Sequence, residues 1–517
     1  MRTGSNVDSW AAPRWALLAL VWSGAVAAQI GASSEPSQPD AFDQATAHPV
    51  REHAAPRILQ GASRAQVRNP LPSTDVEEGV WQTGELAKWP RLYRDDKLLI
   101  TGSFTGTLGL FQMRNNIFDV PATSASPTYR VDPGWGEAFV EPGITAQWTL
   151  DPAVQLYGGA TYMETATRGI DYGGVGNTTH GDRELLYGGL KLGDIGGRGF
   201  KLDLSYGQQD YKVGTSFLIA SGATNGIQRG ASYLGPRAAW GNSAIAKANI
   251  WGLAVEGFWL KPNEAPDAAT GTRLAGVNVE WEGTGPLRAG AMYVRATDSN
   301  IVTRDGLDVY DVRARWHPVT NAPQFWIQGE AVWERKSDVD ANGWYIEATY
   351  NANTTPWKPL VTLRYSSFSG DNPGTTTWEG FDPLYFGGST PDWYQGKIGS
   401  TLFGNTNLEA FAATLTLAPD EKQLWQFILL SFAARQTNSP LAVPAPNAPP
   451  PVGGGVPARA LATEIDAVYT YTFSKAVNVN VFAGYAAPGS GYQQLYASEG
   501  GAARNWWVVG TQFNFSY

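Results

Sequence analysis

The chain of 517 residues contains no cysteine and only four histidines. Without cysteine it has neither a disulfide framework nor a thiolate metal site. No nucleophile motif accompanies a histidine, and no two histidines stand at the spacing of a close metal-ligand pair; they are His48, His53, His180 and His317. We therefore expect a protein that is not an enzyme and that binds no metal and no cofactor.

Positive charge is also in short supply. The sequence has 38 Lys and Arg against 47 Asp and Glu, which gives a formal net charge of −9. A protein that binds nucleic acid needs a basic surplus to neutralise phosphates. The charge balance excludes nucleic acid as an expected partner and gives no support to a uniformly cationic pore.

Long apolar runs are missing everywhere except at the extreme N-terminus. A helical membrane protein would show repeated apolar runs of about 18 residues or more. Here one short apolar run, residues 15–22, follows Arg2 and Arg14 and is followed by the small residues 25–28. This order predicts a cleaved secretory signal peptide over residues 1–28, with a signal anchor as the alternative.

The rest of the chain divides at about residue 90. Residues 29–90 are rich in Ala, Ser, Pro and Gln and show little periodicity. This composition predicts an N-terminal extension that is partly disordered and periplasmic. Residues 91–517 consist of short segments of alternating polarity, separated by turn signals such as Asp151-Pro152. We expect this second part to be an all-β domain.

The final segment shows the alternation most clearly. One face carries Trp507, Val509, Thr511, Phe513, Phe515 and Tyr517, and the other carries Gly510, Gln512, Asn514 and Ser516. In a soluble sandwich the apolar face would meet a second sheet, whereas in a membrane barrel it meets lipid and the polar face lines the lumen. The aromatic end favours the barrel, because Phe513, Phe515 and Tyr517 resemble the C-terminal signal that targets a chain to the barrel-assembly machinery of the outer membrane.

The number of such segments indicates the size of the barrel. Roughly seventeen segments of about ten residues are present, and bacterial single-chain barrels favour even strand numbers. We predict an antiparallel transmembrane β-barrel of eighteen strands, with sixteen as the alternative. Tryptophans near segment ends fit the aromatic girdles at the membrane interfaces. They are Trp251, Trp259, Trp281, Trp333, Trp344 and Trp506.

Charged residues in the inward rows require a wet lumen, because an Arg facing lipid costs about 2–4 kcal/mol at the midplane. By alternation the inward rows contain Lys201, Asp311, Arg313, Arg315, Glu330 and Arg364. The cations either form a charged ring that selects anions or pair across strands and brace the wall. In the second case their partners would be Asp311, Asp203, Glu330 and Glu334.

Long connections interrupt the strands. We predict them at residues 114–136, 167–182, 213–246, 366–407 and 436–459. The segment 366–407 is rich in aromatic residues and glycine. A loop of this length and composition either packs into the lumen as a constriction or folds over the mouth of the barrel.

Motifs in the C-terminal part of the chain carry a family resemblance. They are Ser369-Gly370-Asp371-Asn372, Phe381-Asp382-Pro383-Leu384-Tyr385, Gly396, Asn405-Thr406-Asn407-Leu408 and Leu461-Ala462-Thr463-Glu464-Ile465-Asp466. These motifs resemble the alginate export family of outer-membrane porins. The resemblance implies an eighteen-stranded monomer with an electropositive constriction that passes an anionic polyuronate, with periplasmic export components as further partners.

The combined prediction is a channel in the cell outer membrane, surrounded by outer-membrane lipid, that passes a hydrophilic solute passively. Export of an anionic polysaccharide is the leading version. A general or substrate-specific diffusion porin for small solutes is one alternative, and a plugged structural or adhesive barrel is another. Asp371 and residues 381–385 either contact the solute or anchor the loop that carries them.

Overall fold

A computed structural model describes most of the predicted barrel. The described residues are 90–119, 130–193, 200–250, 253–281, 286–319, 322, 324–387, 393–441, 455–474 and 476–517. The predicted signal peptide, residues 1–28, and the extension up to residue 89 lie outside the described residues, as does Trp251.

The described residues form one antiparallel sheet of nineteen strands. The first ten strands are β1 (Arg91–Arg94), β2 (Leu98–Arg114), β3 (Gly134–Asp151), β4 (Val154–Gly169), β5 (Thr179–Leu192), β6 (Lys201–Gln209), β7 (Trp240–Ile250), β8 (Leu253–Lys261), β9 (Arg273–Trp281) and β10 (Leu287–Asp298). The others are β11 (Asp308–Trp316), β12 (Phe325–Lys336), β13 (Val339–Asn351), β14 (Leu360–Phe368), β15 (Leu408–Leu417), β16 (Gln423–Ala434), β17 (Ala460–Ser474), β18 (Val477–Pro488) and β19 (Trp506–Ser516).

Eighteen of these strands, β2 to β19, close into a barrel. Each pairs with its neighbours in the chain, and β19 returns to pair with β2 from Trp507 opposite Arg114 to Ser516 opposite Thr105. Closure pairs both edges of the sheet, so no barrel strand is left as an open edge. The predicted eighteen-stranded antiparallel barrel is confirmed.

The remaining strand, β1, lies outside the barrel. It pairs with β2 where Arg91 stands opposite Thr101, just beyond the point at which β19 ends. The backbone of Tyr517 pairs with Phe104 at the same seam. Thus the start of the described chain and its last residue lie beside each other at one end of the barrel.

The two ends of the barrel differ in the length of their connections. Short connections such as residues 152–153 join strands at the end that carries Tyr517, and long ones such as 210–239 and 369–407 join them at the other. In bacterial barrels the short turns are periplasmic and the long loops extracellular. The predicted connection at 167–182 is shorter than expected and spans residues 170–178, because the alternation of β4 continues to its end.

The alternation of the strands separates two surfaces. Large apolar side chains such as Leu110, Val481 and Phe513 are about half exposed on the outer face, while polar neighbours such as Asn480 and Gln512 are buried on the inner face. The arrangement agrees with lipid outside and polar groups inside.

Three of the tryptophans predicted for the aromatic girdle lie on the outer face as expected. Trp281, Trp333 and Trp344 are exposed there. Trp259 is half-buried. The prediction is wrong for Trp506, which is completely buried and contacts the ring of Phe118 at 5.7 Å. Its neighbour Trp507 holds the outward position instead, because successive strand residues face opposite sides.

The α-helical segments among the described residues lie in the connections: α1 (Asn116–Asp119), α2 (Gly399–Leu402) and α3 (Ser490–Ser498). No helix among the described residues is long and apolar enough to cross a membrane.

The outward position of Val481 in β18 generates a stability prediction. Val481→Arg places a charge in lipid and is expected to lower the free energy of unfolding by about 2–4 kcal/mol. Val481→Leu keeps an apolar side chain and serves as the matched control. Urea unfolding in phospholipid vesicles measures both. Equal stability of the two variants would contradict the assignment of this face to lipid.

Candidate channel lumen

Two long connections fold inward and pack against the inner wall. We call residues 210–239 lumen loop 1 and the described residues of the second connection, 369–387 and 393–407, lumen loop 2. Phe217 of lumen loop 1 contacts the ring of Trp393 in lumen loop 2, with ring centroids 4.9 Å apart. Both rings contact the inward-facing Tyr345 of β13, at 5.3 Å and 5.0 Å respectively. Of the two predicted positions for the aromatic loop, the structure therefore has the one inside the wall.

The two lumen loops are also joined through their backbones. Ile219 and Tyr385 form a parallel bridge. The Tyr385 N–H donates to the Leu218 carbonyl at 3.0 Å, and the Ala220 N–H donates to the Tyr385 carbonyl at 2.9 Å. The loops therefore form one packed unit.

The Phe-Asp-Pro-Leu-Tyr motif anchors lumen loop 2. Arg304, in the connection between β10 and β11, donates two hydrogen bonds to the Asp382 carboxylate at 2.6 and 2.7 Å. The same carboxylate accepts the Leu384 N–H at 2.9 Å, while the Asp382 N–H donates to Glu334 of β12 at 2.8 Å. Both partners of the ion pair are almost fully buried.

The other motif residues also make contacts within the loops. Phe381 and Leu384 are buried, and Pro383 lies between them. The Tyr385 hydroxyl donates to Glu264 at 3.0 Å. Asp371 accepts the Glu379 N–H at 3.1 Å and so closes a turn of the loop. These contacts favour a structural role for the motif.

Inward carboxylates of the wall hold lumen loop 1 by its backbone. Glu137 of β3 accepts the N–H groups of Tyr233 at 3.1 Å and Leu234 at 2.7 Å. Glu184 of β5 accepts the N–H groups of Ala238 and Ala239, both at 3.0 Å. Glu184 also forms a buried ion pair with Arg237 at 3.1 Å.

A second pair of wall carboxylates holds lumen loop 2 in the same way. Glu464 of β17 accepts the N–H groups of Ile398 and Gly399, both at 2.7 Å. Asp466 accepts the Lys397 N–H at 2.9 Å and the Tyr394 hydroxyl at 2.8 Å. The Lys397 ammonium lies 4.4 Å from the centre of the Phe482 ring, and burial lowers the pKa of Lys397 to about 8 against the opposing attraction of Asp466 and Glu464.

These anchors satisfy two physical requirements at once. A loop buried in a lumen needs partners for its backbone N–H groups, and a buried carboxylate needs hydrogen-bond donors. The loop N–H groups donate the hydrogen bonds that the carboxylates need, and the carboxylates accept them. Consequently the carboxylates at these positions are buried against the loops and are not exposed to a solute in the lumen.

A band of charged side chains lies on the inner face of β5 to β14, nearer the short turns. From β5 to β8 the salt-bridged residues alternate in sign from strand to strand. Lys191 lies 3.9 Å from Asp203, and Lys247 lies 3.2 Å from Glu256. Lys201 occupies the same inward row as Asp203. We call these residues, together with the arginines of β11 and β14, the charged band.

Arg313 lies at the centre of the charged band. It pairs with Glu280 of β9 and, at 3.0 Å, with Asp311 of its own strand. It also contacts Gly214 of lumen loop 1, where an added Cβ would lie 3.1 Å from the Arg313 side chain. Nearby Glu330 accepts a hydrogen bond from Thr215 at 3.2 Å. Lumen loop 1 therefore packs directly on this part of the wall.

The other two predicted arginines are held differently. Arg315 donates to Gln328 at 2.8 Å, and Gln328 donates in turn to Glu347 at 2.8 Å. The Arg364 guanidinium stacks on Trp393 at 4.0 Å and donates to the Tyr394 carbonyl. Arg364 thus contacts lumen loop 2.

Of the predicted bracing partners, Asp311 pairs with Arg313, although within one strand and not across strands, and Glu330 stands directly opposite Arg313 on β12. Asp203 pairs with Lys191 rather than with an arginine. Glu330 and Glu334 accept bonds from Thr215 and from the Asp382 N–H. These two carboxylates face the lumen loops. Alternation along the strands does not predict where the loops lie.

Several residues of the site were absent from the sequence prediction. They are Glu137, Glu184, Lys191, Lys247, Glu256 and Glu280. The alternation of their strands would have placed the charged ones inward. No sequence pattern predicted the positions of their loop partners, because lumen loop 1 shows neither regular alternation nor an aromatic-rich composition.

On β18, β19 and β2 the described inner face carries polar side chains but no charged one. Thr107 of β2 donates to Asn514 of β19 at 2.8 Å, and Asn514 donates to Asn478 of β18 at 2.9 Å. Asn480 and Gln512 lie on the same inner face and are buried. The lumen wall thus has an uncharged section at these three strands, which we call the neutral side.

The residues of the predicted assembly signal lie on the outer face at the short-turn end. Phe513 is exposed, and Phe515 stacks on Phe104 with ring centroids 5.4 Å apart. Tyr517 is exposed at the end of the chain. Recognition of these residues by assembly machinery stays a prediction.

Comparison with known proteins places this geometry in context. The family model described as alginate export matches residues 176–505. The chain is similar to OccAB4 of Acinetobacter baumannii, with 10% identity and a TM-score of 0.50 over 80% of this chain and 98% of that one. At this identity the likeness concerns the fold alone.

Two solved proteins of Pseudomonas aeruginosa give similar figures. OccK5 (OpdH) has 11% identity and a TM-score of 0.49, with 80% of this chain and 97% of that one covered. The outer membrane protein OprD has 12% identity and a TM-score of 0.49, with 80% and 93% covered. No curated protein matches the sequence.

The buried Arg304–Asp382 pair generates a prediction about lumen loop 2. Arg304→Met leaves the Asp382 carboxylate buried without its main partner, a change that costs about 3–5 kcal/mol in proteins. We expect proteolysis of the loop in the folded barrel to become at least about 100-fold faster. Arg295→Met is the control, because the exposed Arg295–Asp308 pair contributes about 0–1 kcal/mol. Equal cleavage rates in both variants would contradict the anchor.

Proposed function

Since the chain belongs to the alginate export family, we propose that it is the channel through which an anionic polysaccharide crosses the outer membrane by passive export. The family match and the closed eighteen-stranded barrel support an outer-membrane channel. The anionic solute and the outward direction of transport are the further steps of the proposal.

The anchoring of the wall carboxylates supports an anionic solute best. Four of them, Glu137, Glu184, Glu464 and Asp466, accept hydrogen bonds from loop backbone N–H groups. These four carboxylates are buried, so none of them is exposed to direct contact with a passing anion. The inward cations remain, and no described carboxylate lies within 4 Å of the Arg364 guanidinium.

The paired cations suit passage as well as binding. An arginine such as Arg313 already has wall carboxylates as partners. A uronate that replaces one of them exchanges one ion pair for another, so binding is weak enough for the solute to leave. On the neutral side, side chains such as Asn480 can hydrogen-bond the hydroxyls of the same sugars. No covalent chemistry is involved.

Reversal potentials in planar bilayers test the anionic solute. The intact protein is expected to prefer anions. Arg313→Gln with Arg315→Gln leaves Asp311 and Glu280 without an arginine beside them, so the preference is expected to shift toward cations. Arg295→Gln, which removes an outward arginine from the neighbouring strand β10, is the matched control and should leave the reversal potential unchanged. Cation preference of the intact protein would contradict the proposal.

Conductance and block separate the remaining alternatives. An oligouronate is expected to block the current at lower concentration than a neutral oligosaccharide of the same length. Equal block by both would indicate a general diffusion porin. A complete lack of single-channel conductance would indicate a barrel plugged by its two lumen loops.

A further inference from the structure

Most inward aromatic side chains of the described strands are buried, and several of them pack against an aromatic residue of a lumen loop. An aromatic ring in this position fastens a loop to the wall, since it removes apolar surface of both partners from water. The ring pairs are Phe111–Tyr233 at 4.8 Å, Phe258–Tyr211 at 5.1 Å, Tyr345–Trp393 at 5.0 Å and Phe432–Phe403 at 4.6 Å.

Trp326 faces the lumen at the other end of the barrel. It is the second residue of β12, which begins at the short-turn end. It stands opposite Thr349, which is buried on the inner face, so the indole also faces inward. The side chain is only half-buried. A large apolar ring therefore meets the water of the lumen at a position where a polar residue is expected.

The contacts of Trp326 do not account for its position. Its ring contact among the described residues is with His317, with ring centroids 6.0 Å apart. The indole N–H donates no hydrogen bond to a described residue. The other half-buried inward aromatic of the described strands, Tyr157, differs because its hydroxyl donates to Asp203. Neither loop packing nor a hydrogen bond explains why an indole lies at this point of the wall.

Polar groups lie beside the indole on the inner face. Gln328 is the next inward residue of β12, about 7 Å farther from the short turns. Arg315 of β11 donates to Gln328 at 2.8 Å. The wall here combines an accessible apolar ring with an amide and a guanidinium at its edge. A sugar ring has the same two parts, because its C–H groups form an apolar face and its hydroxyls lie around the edge.

From this arrangement we infer that Trp326 is a stacking platform for a sugar ring of a polysaccharide that enters the lumen from the short-turn end. Gln328 and Arg315 receive the hydroxyl and carboxylate groups at the edge of the stacked ring. The inference rests on the proposed function, because it takes a polysaccharide as the solute. It does not depend on the charge of that solute, since neutral and acidic sugars both have an apolar face.

Block of single-channel current in planar bilayers tests the platform. The probes are an oligouronate and a neutral oligosaccharide of the same length, added on the short-turn side. Trp326→Leu keeps an apolar side chain but removes the aromatic face, and is expected to raise the half-blocking concentration of both probes about tenfold. Trp326→Phe keeps an aromatic face and should raise it less than about threefold.

Trp333→Leu is the matched control, because it removes an outward tryptophan from the same strand. It should leave block by both probes unchanged. Arg315→Gln is expected to weaken block by the oligouronate alone. Trp326→Gln, with the same expected loss as Trp326→Leu, keeps the test valid if the leucine variant folds poorly.

The other results would overturn the inference. Unchanged block in Trp326→Leu would mean that the indole does not contact the sugar. An equal loss in Trp333→Leu, or in Trp326→Phe, would mean that the substitutions act through the wall. Absence of block of the intact channel by either probe would exclude the platform. Failure of the proposed function has a different signature: the intact protein would prefer cations, while Trp326→Leu would still weaken block by the neutral oligosaccharide.

Discussion

The hydrogen bond between a wall carboxylate and a loop backbone N–H is the interaction on which the interior depends. A barrel of eighteen strands encloses more space than wall side chains fill, and the space here holds two long loops whose backbones need partners. Glu137, Glu184, Glu464 and Asp466 supply them. Without these bonds, both the carboxylates and the loop amides would be buried and unsatisfied, which is costly on both sides.

This arrangement also makes a net charge of −9 compatible with the anionic solute that we propose. Four of the acidic residues, Glu137, Glu184, Glu464 and Asp466, are buried against the loops and are not exposed to a solute. The charged band lies on β5 to β14, and the neutral side of Asn and Thr residues lies on β18, β19 and β2. An acidic sugar polymer presents the same two kinds of group, carboxylates and hydroxyls.

The sequence predicts the barrel well because each strand position is decided locally. The period of two in β19 places Phe513 outward and Gln512 inward with no knowledge of the partner strand. The same locality explains the error at Trp506. A shift of one residue moves a side chain from the lumen to the lipid face, and Trp506 and Trp507 are the same residue type, so composition does not show which of them faces outward. The loop anchors lie beyond such reasoning, because Tyr233 and Glu137 are 96 positions apart. For the same reason the family motif around Asp382 could be identified but its partner Arg304, 78 positions away, could not.

Backbone amide hydrogen exchange in the intact protein tests the anchoring most directly. The account predicts slow exchange at Tyr233, Leu234, Ile398 and Gly399, which lie in loops but donate to Glu137 and Glu464. It further predicts that Glu137→Leu accelerates exchange at the first two and leaves the last two unchanged. Exchange at all four amides as fast as in an exposed turn would contradict the account.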